Sequence, residues 1–112
     1  MVRIKRIYDP PAPEDGSRIL VDRLWPRGVA KEAARIDEWL KEVAPSDGLR
    51  RWFSHDPARW EEFRECYLAE LQEQRNIVER LRAEAKKGTV TLLFAARDTE
   101  HNNAVVLKEM LS

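Results

Sequence analysis

The chain has 112 residues, 43% hydrophobic and 36% charged, and its twenty basic and twenty acidic side chains cancel. That length supports one hydrophobic core and not two. Four tryptophans and regular apolar spacing argue against disorder, and zero formal net charge argues against a general nucleic-acid coat, whose affinity rests on excess positive charge.

Val2-Arg3-Ile4-Lys5-Arg6-Ile7-Tyr8 alternates apolar and basic residues, the period of a half-buried strand. Asp9 to Gly16 carries three prolines and a glycine and reads as a loop. Arg18 to Asp22 is the second expected strand, and Trp25-Pro26-Arg27-Gly28 ends it in a turn. Lys31 to Ala34 suits a helical turn, whereas Ile36 to Leu40 fits a short strand or a helix start equally well. Ser46 reads as the cap of a short helix through Phe53.

Asp56-Pro57 opens the longest predicted helix, with aspartate at the cap and proline at the first helical position. Trp60, Phe63, Tyr67, Leu71, Gln74, Val78, Leu81 and Ala85 follow at spacings of three and four, and Lys86-Lys87-Gly88 supplies the stop. One helix from Pro57 to Lys87 would be roughly 45 Å long at about 1.5 Å per residue. A domain of this size is about 30 Å across, so the helix is expected to kink, break or protrude. A protruding stripe would need a partner, which is the ground for a homodimer.

Thr89 to Ala95 is nearly continuous apolar sequence, as in a central strand covered on both faces. The last helix is expected from about His101 to Leu111. Strand, helix, buried strand, helix reads as α/β. The expectation is a single small domain over residues 1–112, with a mostly parallel open sheet on which the long helix and the C-terminal helix pack. Cys66 is the single cysteine and allows no internal disulfide, and the N-terminus lacks the apolar core of a signal peptide. Leu92 to Ala96, the longest apolar run, is too short to cross a bilayer. A cytoplasmic protein with no membrane partner is expected.

In parallel sheets ligands sit at the carboxyl ends of strands. Asp22-Arg23 ends one strand and Arg97-Asp98 ends another, so both pairs would line one crevice if those strands are parallel neighbours. Arg23 and Arg27 flank a rigid Trp-Pro turn, and a guanidinium fork suits phosphate or carboxylate. Trp25 is the candidate for stacking on a ligand ring. Asp22, Asp98 and His101 are the candidate acid-base groups, although Asp98 or Thr99 could instead cap the last helix. His101 and Asn103 sit where that helix offers free N–H groups, a natural anion site. His55, next to the Asp56-Pro57 cap, reads more readily as packing. No zinc spacing, glycine-rich phosphate loop, dinucleotide fingerprint or catalytic serine motif is present, so no metal site or cofactor is assigned.

Tyr8-Asp9-Pro10, Asp15-Gly16, Val21 to Gly28, Asp37-Glu38-Trp39, Ala44-Pro45-Ser46, Leu49-Arg50, Phe63, Tyr67, Glu70-Leu71, Thr91 to Ala96 and Asn103-Ala104 resemble the YeaO-like branch of the DUF488 family (domain of unknown function). The resemblance spans nearly the whole chain. It implies a bacterial or archaeal single-domain α/β protein with a strand ending in Asp-Val-Arg, matched here by Val21-Asp22-Arg23. Many broader members end their last strand in cysteine and follow it with a Cys-His-Arg string. This chain has Ala95-Ala96 and His101-Asn102-Asn103 instead, which removes the thiol.

Three functions follow as expectations. The first is a site for a small phosphate-bearing or nucleotide-like anion, with a small-molecule enzyme built on it. The second is a non-catalytic module that binds a metabolite or nucleic acid, the latter disfavoured by net charge. The third is a homodimeric interaction protein.

Overall fold

In the computed structural model, which describes residues 1–112, β1 (Val2–Arg6), β2 (Ser17–Leu20), β3 (Glu38–Trp39) and β4 (Val90–Phe94) form one sheet. All its pairings are parallel, in the order β1-β4-β2-β3. β4 is interior, and all five of its residues are buried, as its continuous apolar run predicts. Period-two alternation divides the sheet into two faces. Ile19, Val21, Val90, Leu92 and Phe94 point to the main core, while Leu20 and Leu93 point to a smaller cluster on the other face.

The main core is closed by α2 (Asp47–Phe53), α3 (Trp60–Gln72), α4 (Arg75–Lys87) and α5 (Asn103–Leu111). The smaller cluster is closed by α1 (Lys31–Ala34), through Ala34, together with Ile7, Trp25, Val29, Ile36 and Trp39. Ser46 caps α2 by accepting from Leu49 N–H, and Asp56 accepts from Ala58 N–H where Pro57 opens a short 3-10 turn before α3. The ambiguous segment Ile36 to Leu40 contains β3, held beside β2.

The long helix breaks. α3 ends at Gln72 and α4 begins at Arg75, with Glu73 and Gln74 N–H groups bonded three residues back to Glu70 and Leu71. No proline or glycine forces this. A straight 31-residue helix would exceed the longest dimension of the molecule, 35 Å. The break lets Phe63, Tyr67 and Leu71 on one segment and Val78 and Leu81 on the other all reach the same core. The stripe is therefore covered by the chain itself, and the ground for a homodimer, an unpartnered stripe, falls away. No helix is long and apolar enough to cross a membrane.

A buried polar layer lies beside the smaller cluster. Asp15 accepts from Lys5 Nζ at 3.1 Å, from Ala12 N–H at 3.0 Å and from Arg18, whose guanidinium also donates to the Ala34 carbonyl at 2.8 Å. Both Asp15 and Arg18 are buried. Burial pushes the Asp15 carboxyl up, but the Ala12 N–H, Lys5 and Arg18 outweigh it and hold the group below its ordinary range. Gly16 makes the layer possible. Its φ is +62°, and a Cβ there would stand 2.2 Å from the Thr89 carbonyl oxygen.

Candidate functional site

β2 and β4 are parallel neighbours, as the crevice argument requires. The chain leaves β2 toward α1 on one face and leaves β4 toward α5 on the other. Adjacent strands whose continuations part in this way open a crevice at their carboxyl ends. Asp22 sits in it. One carboxylate oxygen accepts from Ala95 N–H at 2.8 Å, the other from Asn103 Nδ2 at 3.1 Å. Asn103 Nδ2 also donates to the Val21 carbonyl at 2.9 Å, and the Asp22 carbonyl accepts from Trp39 Nε1 at 2.7 Å. Burial pushes the Asp22 carboxyl above its ordinary value, against the pull of the Ala95 N–H, the Asn103 amide and His55. The donors that would greet a ligand's anion here already hold an anion belonging to the chain.

Asp98 and His101 form a second pair on the same edge. Asp98 Oδ1 accepts from the Glu100 and His101 N–H groups, and Oδ2 lies 2.9 Å from His101 Nδ1. The Glu100 N–H, then the His101 ring, hold the Asp98 carboxyl below its ordinary range. The His101 ring meets Trp60 edge-on at 5.2 Å between centroids. Neither Asp98 nor Thr99 caps α5. Asn102 does, its side chain accepting from Val105 N–H and donating to the Asp98 carbonyl. Asn103 and Ala104 N–H, at the start of α5, have no acceptor in the chain.

The arginines divide sharply. Arg23 donates to the Pro45 carbonyl at 3.0 Å and the Ala44 carbonyl at 3.2 Å, pinning the loop before α2. Trp25 stands edge-on to Trp39 at 5.4 Å, and its Nε1 donates to the Val29 carbonyl at 2.9 Å. Arg27 differs from both. It is exposed, and its guanidinium makes no hydrogen bond or ion pair. Its backbone is nevertheless fixed. Pro26 to Val29 is a turn closed by Val29 N–H to the Pro26 carbonyl, with Gly28 at φ +77° in the position that needs a positive angle. Tyr8 Oη donates to the Arg27 carbonyl at 3.0 Å, and Trp25 grips Val29 from the other side.

Sequence reasoning missed Tyr8 and Arg6. Arg6 donates to the Ala96 carbonyl at 3.0 Å and covers the Tyr8 ring at 5.1 Å. Arg97, next to Ala96, is exposed and unpaired. Contacts thus link Arg27, Tyr8, Arg6 and the Ala96 carbonyl along the carboxyl edge, and Arg97 follows Ala96 in the chain. The alternation of Val2 to Tyr8 carried the signal only once β1 is known to run parallel beside β4. His55 lies in a left-handed turn with Ser54, at φ 57° and 47°, and its ring is 6.2 Å from Phe53. No three His, Cys, Asp or Glu side chains converge as a metal site. Two open clefts, of about 720 and 290 Å3, are lined by none of Asp22, Asp98 and His101, whereas Arg23 lines the smaller.

Relatives match this chain along nearly their whole length. The chain is 47% identical over 110 residues to an uncharacterized protein, YeaO, of Escherichia coli, covering 98% of this chain and 96% of that one. It is 40% identical over 111 residues to the uncharacterized proteins Mb3100c of Mycobacterium bovis and MT3158 of Mycobacterium tuberculosis, covering 99% of this chain and 93% of each. No solved structure matches. The model of the inactive DUF488-N3 subclade matches residues 1–112, and the chain belongs to that branch of the DUF488 family.

Proposed function

We propose that this protein is a non-catalytic binding module for a small anionic, phosphate-bearing ligand, gripped by Arg27 at the carboxyl edge of the sheet. One observation carries the reading: Arg27 stands unpaired at the tip of a turn clamped by Tyr8 and Trp25. A guanidinium on a fixed backbone loses less freedom when it takes an anion. Arg97 is the second cation of the edge, and Tyr8 supplies an aromatic surface beside them. Asp22, Arg23, Trp25 and Asn103 support the site from behind rather than touching ligand, because their polar atoms bond the fold. Both Asp22 oxygens already accept hydrogen bonds from the chain, so the carboxyl is turned toward the fold rather than toward a substrate. The subclade's description as inactive points the same way.

One observation favours an enzyme instead. The Asp98–His101 pair orients an imidazole with its Nε2 free of any partner in the chain. Thermal unfolding of wild type, Arg27→Ala and His101→Gln against inorganic phosphate, nucleotides and sugar phosphates separates the readings. A compound at a hundred times its dissociation constant adds about 2.7 kcal/mol. The proposal expects that gain in wild type and His101→Gln and its loss in Arg27→Ala. A ligand-induced gain equal in Arg27→Ala, or none with any compound, overturns it. Turnover of a bound compound that His101→Gln abolishes establishes the enzyme.

A further inference from the structure

We propose that the cleft between residues 11–13 and α1 binds a small zwitterion of the α-amino-acid type, with a carboxylate, an ammonium and a compact apolar body. The cleft has a volume of about 720 Å3 and lies on the face of the sheet opposite α2 to α5. That volume falls among those of small-molecule sites. It is lined by Pro11, Ala12, Pro13, Arg18, Glu32 and Arg35, with Ala33 between the last two. None of these residues belongs to the Arg27 edge, so the proposal stands apart from that site.

The charges select the ligand. Arg18 is buried and rigid, its guanidinium donating to the Ala34 carbonyl through Nε at 3.2 Å and Nη2 at 2.8 Å, and to Asp15 through Nη1. A guanidinium carries five N–H groups, so two remain without a partner in the chain, on a side chain that lines the cleft. Asp15 already neutralises its charge. Glu32 and Arg35 stand three residues apart on the end of α1, a spacing at which opposite charges ordinarily pair. Here neither makes an ion pair or a side-chain hydrogen bond, and both line the cleft. The free charges are one guanidinium and one carboxylate, which sum to zero. A zwitterion complements them, whereas a phosphate dianion would leave Glu32 facing like charge.

The backbone agrees. Arg35 closes α1 in the left-handed conformation, φ 48° and ψ 47°, a position where glycine is unstrained. Pro11 and Pro13 offer no N–H, and with Ala12 and Ala33 they form the apolar wall for the ligand body. The carboxylate meets Arg35 and the spare Arg18 N–H groups, and the ammonium meets Glu32.

Amide-resolved NMR titration of the full chain tests this with L-alanine, L-valine and L-proline, and with the half-charged analogues isovalerate and isobutylamine. The expected result is saturable shifts at Ala12, Ala33 and Arg35 with at least one amino acid, and binding at least about tenfold weaker for both analogues. Arg35→Gly removes the saturation while raising the melting temperature of the free protein, because glycine relieves the left-handed turn. Glu32→Gln removes the preference of L-valine over isovalerate. Absence of saturable cleft shifts with all three amino acids overturns the proposal, as does undiminished binding in Arg35→Gly. Isovalerate binding as tightly as L-valine also overturns it, in favour of a simple carboxylate site.

Discussion

Asn103→Ala distinguishes a residue that holds the crevice shut from one that waits for a ligand. Asn103 Nδ2 donates to the Val21 carbonyl at 2.9 Å and to Asp22 Oδ1 at 3.1 Å. The first bond is neutral and contributes about 1 kcal/mol; the second reaches a charged oxygen and contributes about 1.5 to 3 kcal/mol. Alanine is the better helix former at the first position of α5, which returns about 0.5 kcal/mol. Asn103 is only half-buried, so water can reach the vacated groups and the lower half of the range applies. The net cost is about 2 kcal/mol. For 112 residues at about 2.1 cal/mol/K each, the unfolding entropy is about 0.24 kcal/mol/K, and the midpoint falls by about 8 °C. Urea unfolding followed by circular dichroism, with calorimetry alongside, reads both quantities. Asn103→Asp sharpens the test, because a second carboxylate beside Asp22 destabilises increasingly as pH rises through the carboxylate range. An Asn103→Ala protein within about 0.5 kcal/mol of wild type would refute the structural role of these two bonds, since surface changes without such a role fall in that band.

Three further outcomes follow from the same geometry. The Asp22 carboxyl is raised above its ordinary 3.8, so the folded protein keeps a proton that the unfolded chain has lost. That contribution is complete below 3.8 and is lost as pH rises through the folded value; wild type should therefore lose stability against Asp22→Asn over that window, and a pH-independent difference in urea midpoints would contradict it. Asp15 runs the other way, because its lowered pKa gives stability that is present above 3.8 and lost as pH falls through the folded value. Asp15→Asn, which leaves Arg18 buried without its anion, should cost about 3 kcal/mol at neutral pH and flatten the acid limb of the profile. Leu81→Asp puts a charge into the fully buried core and should cost more than about 4 kcal/mol, so that sedimentation and circular dichroism find an unfolded chain rather than a folded monomer released from a dimer.

Much of the fold is legible in the residues because each signal is local. The Ser46 start holds, Asp56-Pro57 opens the 3-10 turn that leads into α3 at Trp60 rather than the helix itself, and the apolar run at Val90–Phe94 is the interior strand it resembles. The break between Gln72 and Arg75 has no local sign, since neither proline nor glycine marks it. It is imposed by the size of the core that two stripes must share, a tertiary quantity. The capping of α5 by Asn102 is hidden in a different way. Asp98, Thr99 and Asn102 are all good caps, and only the path of the loop decides among them.

The site is harder to read than the fold, because a sequence displays which polar groups cluster and conceals which of them are already satisfied. Val21 to Gly28 has the residue types of a ligand site at a strand end. Yet Asp22 binds Ala95 and Asn103, Arg23 binds the carbonyls of Ala44 and Pro45, and Trp25 binds Val29. A parallel sheet whose connections part at β2 and β4 leaves N–H groups facing an open crevice, and an internal carboxylate is one way to satisfy them. The density of chemistry in that string is what a strand end needs to close its own crevice. Within that string only the Arg27 guanidinium has no partner in the chain, although neighbouring bonds hold its backbone in place. The division is testable as a pattern: substitutions at Asp22, Arg23 and Asn103 should lower stability and leave any ligand-induced gain intact, whereas Arg27→Ala should leave stability unchanged and remove the gain. The reverse pattern would return the buried cluster to the role of ligand site.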